Sequence, residues 1–323
     1  MHIVTGGAGF IGSAFVWKLN QMGIEDIVIV DELGKTESWK NLVNRRYVDY
    51  FHKEFFLDMV LHDELPFEVS SVTHMGACSS TTERDADYLM DNNYRYSVAL
   101  ASWCLEHGVR FVNASSAATY GDGGQGFSDD EAGLRGLKPL NMYGYSKQLF
   151  DLWAQREGVL GSLASLKFFN VFGPNEYHKE DMMSVICKAH KQIGETGKLK
   201  LFKSYHPDYP DGGQKRDFVY VKDCVDVMWW LLENPDVGGV FNVGTGTART
   251  WNDLARSVFA AMDVEENIEY IEMPEQLRGK YQYFTQAEMG KLQAAGCPVK
   301  FMPLEDAAAD YVRGYLAAED SFL

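Results

Sequence analysis

The stretch Thr5-Gly-Gly-Ala-Gly-Phe-Ile-Gly12 decides the fold that this sequence predicts. It follows the β-branched run Ile3-Val4-Thr5 and precedes apolar residues that recur at helical spacing. Gly7, Gly9 and Gly12 have the G-x-G-x-x-G spacing, which permits a tight turn and lets a pyrophosphate approach the backbone at a helix N-terminus. The order of strand, glycine turn and helix therefore predicts the first unit of a dinucleotide-binding fold.

An acidic residue at the end of the second predicted strand supports this interpretation. Residues 27–30 are all β-branched and too few for a helix, so they predict a buried strand. Asp31 follows at the spacing from which a carboxylate can accept hydrogen bonds from the adenosine ribose. Further strands are predicted at residues 69–74, 109–114, 166–169 and 240–243, with amphipathic stretches at 92–107 and 145–156. The pattern predicts an α/β fold with a Rossmann-like doubly wound parallel sheet.

The composition of the chain changes after Pro174, which predicts a second, smaller lobe. Residues 205–213 contain two prolines and two glycines and are predicted to form an irregular loop. The tail from about residue 268 is helix-prone and lacks the alternation of strands and helices. We expect an NAD(P)-binding Rossmann domain at 1–173 plus about 217–245, and a discontinuous substrate-binding lobe at about 174–216 plus 246–323.

Overall composition excludes several classes of protein. The chain has 323 residues, a formal net charge of −16 and no long basic run, which disfavours nucleic acid and anionic membranes as partners. No apolar stretch approaches the ~18 residues of a membrane span, and no signal-peptide pattern precedes the first strand, so we expect a cytoplasmic protein. Five dispersed cysteines without a C-x-x-C spacing indicate neither a disulfide framework nor a metal site.

Candidate reactive groups follow the predicted strands. Tyr143 and Lys147 are four residues apart, so on a helix they share one face, and an ammonium beside a phenol lowers the pKa of that phenol. Ser115 and Ser116 end a predicted strand, as do the 75–79 segment and Asn170, which places them at the carboxyl edge of the sheet. The alternative interpretations are a packed Tyr-Lys pair on a helix surface and a serine that caps a helix.

These motifs together resemble those of the extended short-chain dehydrogenase/reductases that act on nucleotide sugars. The resemblance rests on the glycine stretch at 5–12, Ser115-Ser-Ala-Ala-Thr-Tyr-Gly121, Tyr143-x-x-x-Lys147 and Arg216-Asp-Phe-Val-Tyr-Val-Lys-Asp223. More narrowly, the chain resembles the ADP-L-glycero-D-manno-heptose 6-epimerase family at residues 76–83, 90–94, 139–147, 169–174, His178-Lys179 and 281–286. The match extends from the first strand to about Gly296.

The resemblance implies inversion of C6 in ADP-D-glycero-D-manno-heptose through a transient ketone, in the supply of heptose for the lipopolysaccharide inner core. It implies a tightly bound NADP or NAD, one per subunit, and a homo-oligomer, a pentamer in this family. By this match Tyr143 and Lys179 share the proton transfers, Ser116 polarises the oxygen and Lys147 anchors the nicotinamide ribose. Matching cofactor positions are Gly7, Gly9, Phe10, Ile11, Gly12, Asp31, Glu32, Lys53, Met75, Gly76, Ala77, Cys78, Ser79, Asn92, Tyr143, Lys147, Val171 and Lys179. Matching substrate positions are Ser116, Asn170, Asp181, Lys188, Phe202, Lys203, Ser204, Tyr205, Arg216 and Tyr281.

Departures from the family pattern leave alternatives open. Glu32 stands where the family commonly has asparagine, and Ser38 replaces a basic residue, which favours NAD because two adjacent carboxylates repel a ribose 2′-phosphate. Lys35, Lys40 and Lys53 could still favour NADP.

Three other functions are weighed against heptose epimerisation. A nucleotide-sugar 4-epimerase is the nearest alternative, and a non-catalytic NAD(P)-sensing protein is a remote one. A 4,6-dehydratase is disfavoured because Ala117-Ala118 stand where its acid and base are expected. Two residues also have simpler interpretations: Lys179 as a solvated charge, and Arg216 as the partner of Asp217 or Asp223 in a surface ion pair.

Overall fold

The protein is described from a computed structural model that covers residues 1–278 and 281–323. The strands in chain order are β1 (His2–Thr5), β2 (Ile27–Asp31), β3 (Asp49–His52), β4 (Ser71–His74), β5 (Arg110–Ser116), β6 (Ala164–Phe168), β7 (Asn170–Phe172), β8 (Leu199–Phe202), β9 (Lys215–Arg216), β10 (Phe218–Tyr220), β11 (Gly239–Val243), β12 (Arg249–Thr250) and β13 (Ile268–Ile271). The α-helices are α1 (Phe10–Gln21), α2 (Lys53–Leu61), α3 (Ala86–Leu89), α4 (Tyr96–Glu106), α5 (Met142–Arg156), α6 (Val185–Thr196), α7 (Val221–Glu233), α8 (Trp251–Met262), α9 (Glu275–Arg278), α10 (Gly290–Ala294) and α11 (Leu304–Tyr311).

Seven of these strands form one parallel sheet in the order β11-β6-β5-β4-β1-β2-β3. The strands β2 and β3 follow β1 on one side, and the chain then crosses to place β4 on the other side of β1. This reversal is the topological switch point, where an open α/β sheet forms a ligand crevice beyond the carboxyl ends of its strands. The predicted fold class is confirmed, and Ile27 to Val30 of β2 are fully buried, as expected of a central parallel strand.

Two predictions about individual elements are wrong, and one strand was missed. Residues 49–52 form the edge strand β3, which the sequence analysis missed because its Asp-Tyr-Phe-His sequence is not β-branched and is only half-buried. Asn170 does not end a strand of the large sheet, since β6 ends at Phe168 and Asn170 begins β7, which pairs with β10. Residues 268–271 form strand β13 rather than helix, because they pair in parallel with β8.

The smaller strands pair outside the large sheet, β7 with β10, β9 with β12 and β8 with β13. The segment at 205–213 contains neither helix nor strand, which confirms the predicted irregular loop. The division into a Rossmann domain and a substrate-binding lobe stays a prediction. Within residues 1–278 and 281–323, no helix combines the length and the apolar character that crossing a membrane requires.

A buried histidine joins the ends of β1 and β4 beneath the glycine turn. His74 Nδ1 lies 2.5 Å from Thr5 Oγ1 and His74 Nε2 lies 2.8 Å from Ser97 Oγ. The Ser97 hydroxyl donates to the carbonyl of Asn93, so the Ser97 oxygen accepts from Nε2–H and the Thr5 hydroxyl donates to Nδ1. Burial, together with the charge of Lys147, lowers the pKa of His74 to about 3. The imidazole is therefore neutral in the folded protein at ordinary pH.

This neutral histidine predicts a loss of stability in acid. The unfolded chain binds a proton at His74 near pH 6.5, whereas the folded protein does so only near pH 3, so the contribution is complete above pH 6.5 and is lost as the pH falls toward 3. We expect the free energy of unfolding to fall by about 1.4 kcal/mol per pH unit from this group. Urea unfolding at pH 7 and pH 4.5 should show a shallower pH dependence in His74→Leu than in the wild type or in the surface variant His62→Gln. Equal slopes would contradict the assignment.

Candidate active site

A cleft of about 1460 Å³ opens at the carboxyl edge of the large sheet. It is lined from several elements at once, which include the glycine turn, the ends of β2, β4, β5 and β6, the start of α5 and the segment that follows β7. Predicted site residues that line it are Gly9, Phe10, Ile11, Gly12, Asp31, Glu32, Met75, Gly76, Ala77, Ser79, Ser116, Tyr143, Lys147, Asn170, Val171 and Lys179. The structure thus brings together most of the predicted cofactor positions and all four predicted catalytic positions.

The glycine turn is packed so closely that side chains are excluded from it. A Cβ atom on Gly12 would lie 2.0 Å from the carbonyl oxygen of Gly6, and one on Gly6, where φ is +63°, would lie 2.6 Å from the amide nitrogen of Gly76. Gly9 caps α1 without a side-chain hydrogen bond, which leaves N–H groups of the first turn available to an anion. The turn therefore fits the pyrophosphate of a dinucleotide.

Two carboxylates at the end of β2 have different partners. Asp31 accepts hydrogen bonds from the amide groups of Ala8 at 2.8 Å and Glu32 at 2.7 Å; burial raises the pKa of Asp31, and these bonds oppose that rise. Glu32 forms an ion pair with Lys53, with 2.6 Å between Oε2 and Nζ, and this contact lowers the pKa of Glu32. Lys53 also donates to Asn92 at 3.0 Å. The ammonium group of Lys53 is therefore already bound to the side chains of Glu32 and Asn92.

Tyr143 is the second residue of α5 and lies beside Ser116, and Lys147 follows one turn later. The Ser116 hydroxyl opposes the effect of burial on the pKa of Tyr143, but burial dominates and raises that pKa. Burial also lowers the pKa of Lys147 to about 8. The predicted lowering of the Tyr143 pKa is thus wrong, because loss of hydration at the phenol outweighs the Ser116 hydrogen bond, and Lys147 is not among the groups that shift this pKa. Lys147 Nζ has no hydrogen-bond partner among the described residues, and this buried donor fits a ribose hydroxyl.

Lys179 lies in the wall of the cleft rather than in solvent. Its Nζ is 5.2 Å from the centroid of the Phe10 ring, and burial lowers its pKa. The neighbouring His178 also lines the cleft, where burial lowers its pKa to about 4. Asn41 Nδ2 lies 3.3 Å from His178 Nδ1. The interpretation of Lys179 as a solvated surface charge does not agree with this placement.

The predicted substrate positions separate into two groups. Ser116 and Asn170 line the cleft, whereas Arg216 borders it behind Trp251, with its guanidinium carbon 5.8 Å from the Trp251 ring and 5.3 Å from the Tyr281 ring. The alternative interpretation, a surface ion pair of Arg216 with Asp217 or Asp223, does not hold among the described residues, because Arg216 is buried and neither pair forms. Asp217 accepts from the amides of Thr245, Gly246 and Ala287, and Asp223 accepts from the amide of Met302. The remaining positions outside the lining of the cleft are Asp181, Lys188, Phe202, Lys203, Ser204, Tyr205 and Tyr281.

These outlying positions contact one another or neighbouring protein groups. Lys188 donates to the carbonyl of Asp181, while Lys203 and Tyr205 both contact Glu272. The predicted cofactor positions Gly7, Lys53, Cys78 and Asn92 also lie outside the lining. Cys78 is held through its backbone, since its amide donates to Asn93 Oδ1 and its carbonyl accepts from Asn93 Nδ2.

Sequence reasoning missed several residues of the cleft. Gly6 stands in the first motif, yet the G-x-G-x-x-G pattern does not include it. Trp251, Gln282 and Thr285 come from distant parts of the chain, and Gln282 Nε2 donates to the carbonyl of Gly121 at 2.6 Å. The local sequence offers no signal for Trp251, whereas Gln282 and Thr285 lie in the matched segment 281–286 and His178 in another motif, each without an assigned role.

Ser116 also fulfils its alternative interpretation as a cap. Its hydroxyl accepts from the amide of Ala118 at 3.1 Å and caps the short 3-10 helix Ala117–Tyr120. A hydroxyl that accepts this bond still has a proton to donate. The capping contact and the predicted contact with a substrate oxygen are therefore compatible.

Comparison with known proteins identifies the family. The pattern of the NAD dependent epimerase/dehydratase family matches residues 2–244. The chain belongs to this family. It is 72% identical over 323 residues to an ADP-L-glycero-D-manno-heptose-6-epimerase of Nitratidesulfovibrio vulgaris (strain DP4), and the match covers 100% of both chains.

Solved structures of this family share the fold. The ADP-L-glycero-D-manno-heptose-6-epimerase of Helicobacter pylori superimposes with a TM-score of 0.82 at 25% identity, over 98% of this chain and 96% of that one. A UDP-glucose 4-epimerase of Thermus thermophilus, solved in complex with NAD, superimposes with a TM-score of 0.74 at 25% identity, over 97% and 99% of the two chains. The family and the fit of the glycine turn identify the cofactor as a nicotinamide dinucleotide.

Proposed function

We propose that this epimerase inverts C6 of ADP-D-glycero-D-manno-heptose and thereby supplies the L-glycero sugar to the lipopolysaccharide inner core. The proposal is supported most directly by one observation: Ser116, Tyr143 and Lys179 line the same cleft as the glycine turn. The relative from Nitratidesulfovibrio vulgaris supports the choice of substrate and disfavours the 4-epimerase alternative.

The bound nicotinamide dinucleotide supplies a hydride acceptor and, after reduction, a hydride donor. We assign to the protein the tasks of binding, orientation and proton transfer. The N-terminus of α1 would bind the pyrophosphate, and Lys147 Nζ would donate to the nicotinamide ribose. Asp31 would accept from the adenosine ribose. Hydride removal and return within one subunit would leave the net redox change at zero.

Two proton-transfer groups are needed because the C6 oxygen presents its proton from a different side before and after inversion. As C6 is oxidised, one group takes the hydroxyl proton and the C6 hydrogen leaves as a hydride. As the ketone is reduced from its opposite face, the other group returns a proton to the oxygen. We assign these roles to Tyr143 and Lys179, while the Ser116 hydroxyl donates a hydrogen bond to the C6 oxygen.

The burial of these two groups favours complementary forms. Burial raises the pKa of Tyr143, which keeps the phenol protonated and able to act as an acid. Burial lowers the pKa of Lys179, which increases the fraction of neutral amine that can act as a base. We therefore assign the first proton transfer to Lys179 and the second to Tyr143 in the D-to-L direction. Proton exchange with solvent then returns Lys179 to the neutral amine and Tyr143 to the phenol before the next turnover.

Incubation of the purified protein with ADP-D-glycero-β-D-manno-heptose, without added cofactor, tests the proposed function. Proton NMR should show conversion to a mixture of both C6 epimers. Absence of conversion after addition of NAD and then NADP would overturn the choice of substrate and favour a 4-epimerase of the same family. Association into a homo-oligomer, with five subunits expected, is a separate proposal that sedimentation can test.

We further propose that NAD is preferred over NADP. Asp31 and Glu32 both present carboxylates at the end of β2, where a ribose 2′-phosphate would have to bind. Lys53 is paired with Glu32, and Lys40 is paired with Glu37, so two of the lysines that could bind the phosphate are already in ion pairs.

Glu32→Asn is expected to raise the affinity for NADP relative to NAD by about tenfold, equivalent to about 1.4 kcal/mol. The substitution removes one repelling carboxylate and releases Lys53 for the 2′-phosphate. Binding of both dinucleotides to cofactor-depleted protein by calorimetry measures the ratio, with Glu64→Gln, at an exposed carboxylate outside the lining of the cleft, as the control. An unchanged ratio in Glu32→Asn would show that Glu32 does not determine the preference.

A further inference from the structure

A fully buried carboxylate lies behind the reactive groups of α5. Asp151 follows Lys147 by one helical turn and Tyr143 by two, and its side chain is inaccessible to solvent. Its Oδ2 accepts from Ser115 Oγ at 2.7 Å and from Lys167 Nζ at 2.9 Å, while Oδ1 accepts from Ser165 Oγ at 2.7 Å. Three donors from β5 and β6 thus converge on one carboxylate of α5.

The same network reaches the backbone of Ser116. Lys167 Nζ donates to Thr119 Oγ1 at 2.7 Å, and Thr119 Oγ1 donates to the carbonyl of Ser116 at 2.8 Å. Ser115, Thr119 and Lys167 are all at least 98% buried, so water does not compete for these bonds. The Ser115–Thr119 segment is therefore tied to Asp151 at both of its ends, directly at Ser115 and through Lys167 at Thr119.

Burial of these charged and polar groups carries a larger desolvation penalty than burial of apolar side chains would. Removing two charges from water carries a large desolvation penalty, and a buried ion pair is often no more stable than hydrophobic residues of similar volume. Stability alone is thus a poor reason for an aspartate at this place. Its position between the Ser116 segment and the Tyr143–Lys147 face of α5 points instead to a role in the reaction.

We propose that Asp151 is a positioning residue for the reaction, whose carboxylate, held by Lys167, fixes the segment that carries Ser116 and retains the positive charge of Lys147. This inference rests on the proposed function, because it takes Ser116 and Lys147 to be residues that act in the reaction. Asp151 does not line the cleft, so it acts through those residues rather than on the substrate.

The charges around Lys147 predict the direction in which loss of the Asp151 carboxylate would shift the Lys147 pKa. The titratable groups that face it are His74 of β4, Tyr143 and Asp151 of its own helix and, beyond Asp151, Lys167 of β6. Burial favours the neutral amine of Lys147, whereas the carboxylate of Asp151 raises the pKa and so favours the ammonium. His74 and Tyr143 are uncharged at neutral pH, which leaves Asp151 as the opposing influence among these groups.

Asp151→Asn keeps the shape of the side chain and removes its charge. We expect the NMR titration midpoint of the Lys147 side chain, assigned by its loss in Lys147→Met, to fall by about one pH unit or more. The alkaline limb of the kcat profile should shift down by the same interval. At pH 8, where a pKa of about 8 leaves about half of the Lys147 amine charged, a fall of one pH unit should lower kcat about fivefold, while KM stays within about twofold of the wild-type value.

Lys167→Met is the matched control because it breaks the same ion pair from the other side. It leaves the carboxylate of Asp151 without its neutralising partner, so the Lys147 titration midpoint should stay at or above the wild-type value. If Asp151→Asn fails to fold, the double variant Asp151→Asn/Lys167→Met, which carries no uncompensated buried charge, replaces it. Loss of the attraction to Asp151 should lower the Lys147 midpoint there as well.

The two variants separate positioning from structure. A downward shift in Asp151→Asn without one in Lys167→Met supports the inference. Equal losses of stability in both variants, with an unchanged Lys147 titration and an unchanged pH profile, would overturn it and leave Asp151 a structural residue. Wild-type conversion of the heptose, measured in parallel, tests the proposed function independently of the NMR titration.

Discussion

Tyr143→Phe is expected to slow epimerisation about 100-fold or more, the usual contribution of one acid or base in a reaction of this kind. The substitution removes the phenolic oxygen and keeps the ring in the wall of the cleft. The contacts of the glycine turn with the dinucleotide are unaffected, so cofactor occupancy, measured by absorbance after denaturation, should equal that of the wild type. The free energy of unfolding should change little, since the substitution keeps the ring and the phenol lies in the wall of the cleft rather than in the hydrophobic core.

Tyr145→Phe is the matched control for this variant. Tyr145 lies two residues further along α5 and is 49% exposed, so loss of its hydroxyl should leave turnover unchanged. Turnover of Tyr143→Phe within about threefold of the wild type would contradict the assigned role. Loss of bound cofactor in that variant would instead move Tyr143 from proton transfer to binding.

Lys179→Met should reduce turnover by about 100-fold for the same reason, because one of the two proton transfers then has no base. Methionine preserves most of the side-chain volume beside Phe10, so the cleft should keep its shape. Lys179→Arg should not restore activity, because a guanidinium stays protonated at all working pH values. Steady-state rates for both variants, measured by NMR detection of the epimers, provide the comparison.

Lys191→Met, on the exposed surface of α6, is the control for loss of a lysine. If Lys179→Met turns over normally while Tyr143→Phe is slow, a two-base reaction with Lys179 as the second base is wrong. His178 would then be the next group to test, since it lines the cleft and burial keeps its imidazole neutral.

Local pattern predicts the strands and the glycine turn well because both follow from short-range chemistry. The apolar, β-branched residues at 27–30 predict a buried strand from their own composition. The glycines of the G-x-G-x-x-G pattern are required because a Cβ atom there would clash with neighbouring backbone atoms. The edge strand β3 was missed because it pairs with only one neighbour, β2, and its own sequence lacks the apolar pattern of a buried strand. Asn170 shows a similar limit, since its pairing with β10 depends on a strand far away in the chain.

The electrostatics of the site could not be predicted from spacing. Tyr143 and Lys147 do share the face of α5, but the sign of the pKa change at the phenol depends on how deeply both are buried. Ser115 was expected at the carboxyl edge of the sheet and does line the cleft, but its hydroxyl donates to Asp151, a contact that the spacing does not reveal. Trp251 reaches the cleft through tertiary packing, which no local motif encodes, whereas Gln282 lies in a matched motif that gave it no role.

The fate of the C6 hydrogen tests the central claim most directly. ADP-D-glycero-β-D-manno-heptose that carries deuterium at C6 is incubated with the protein in ordinary water, and the epimeric product is analysed by NMR and mass spectrometry. Oxidation and re-reduction by a retained cofactor predict that the product keeps its C6 deuterium in full. Replacement of that deuterium by solvent hydrogen would contradict the account, because it would show that C6 loses a proton rather than a hydride.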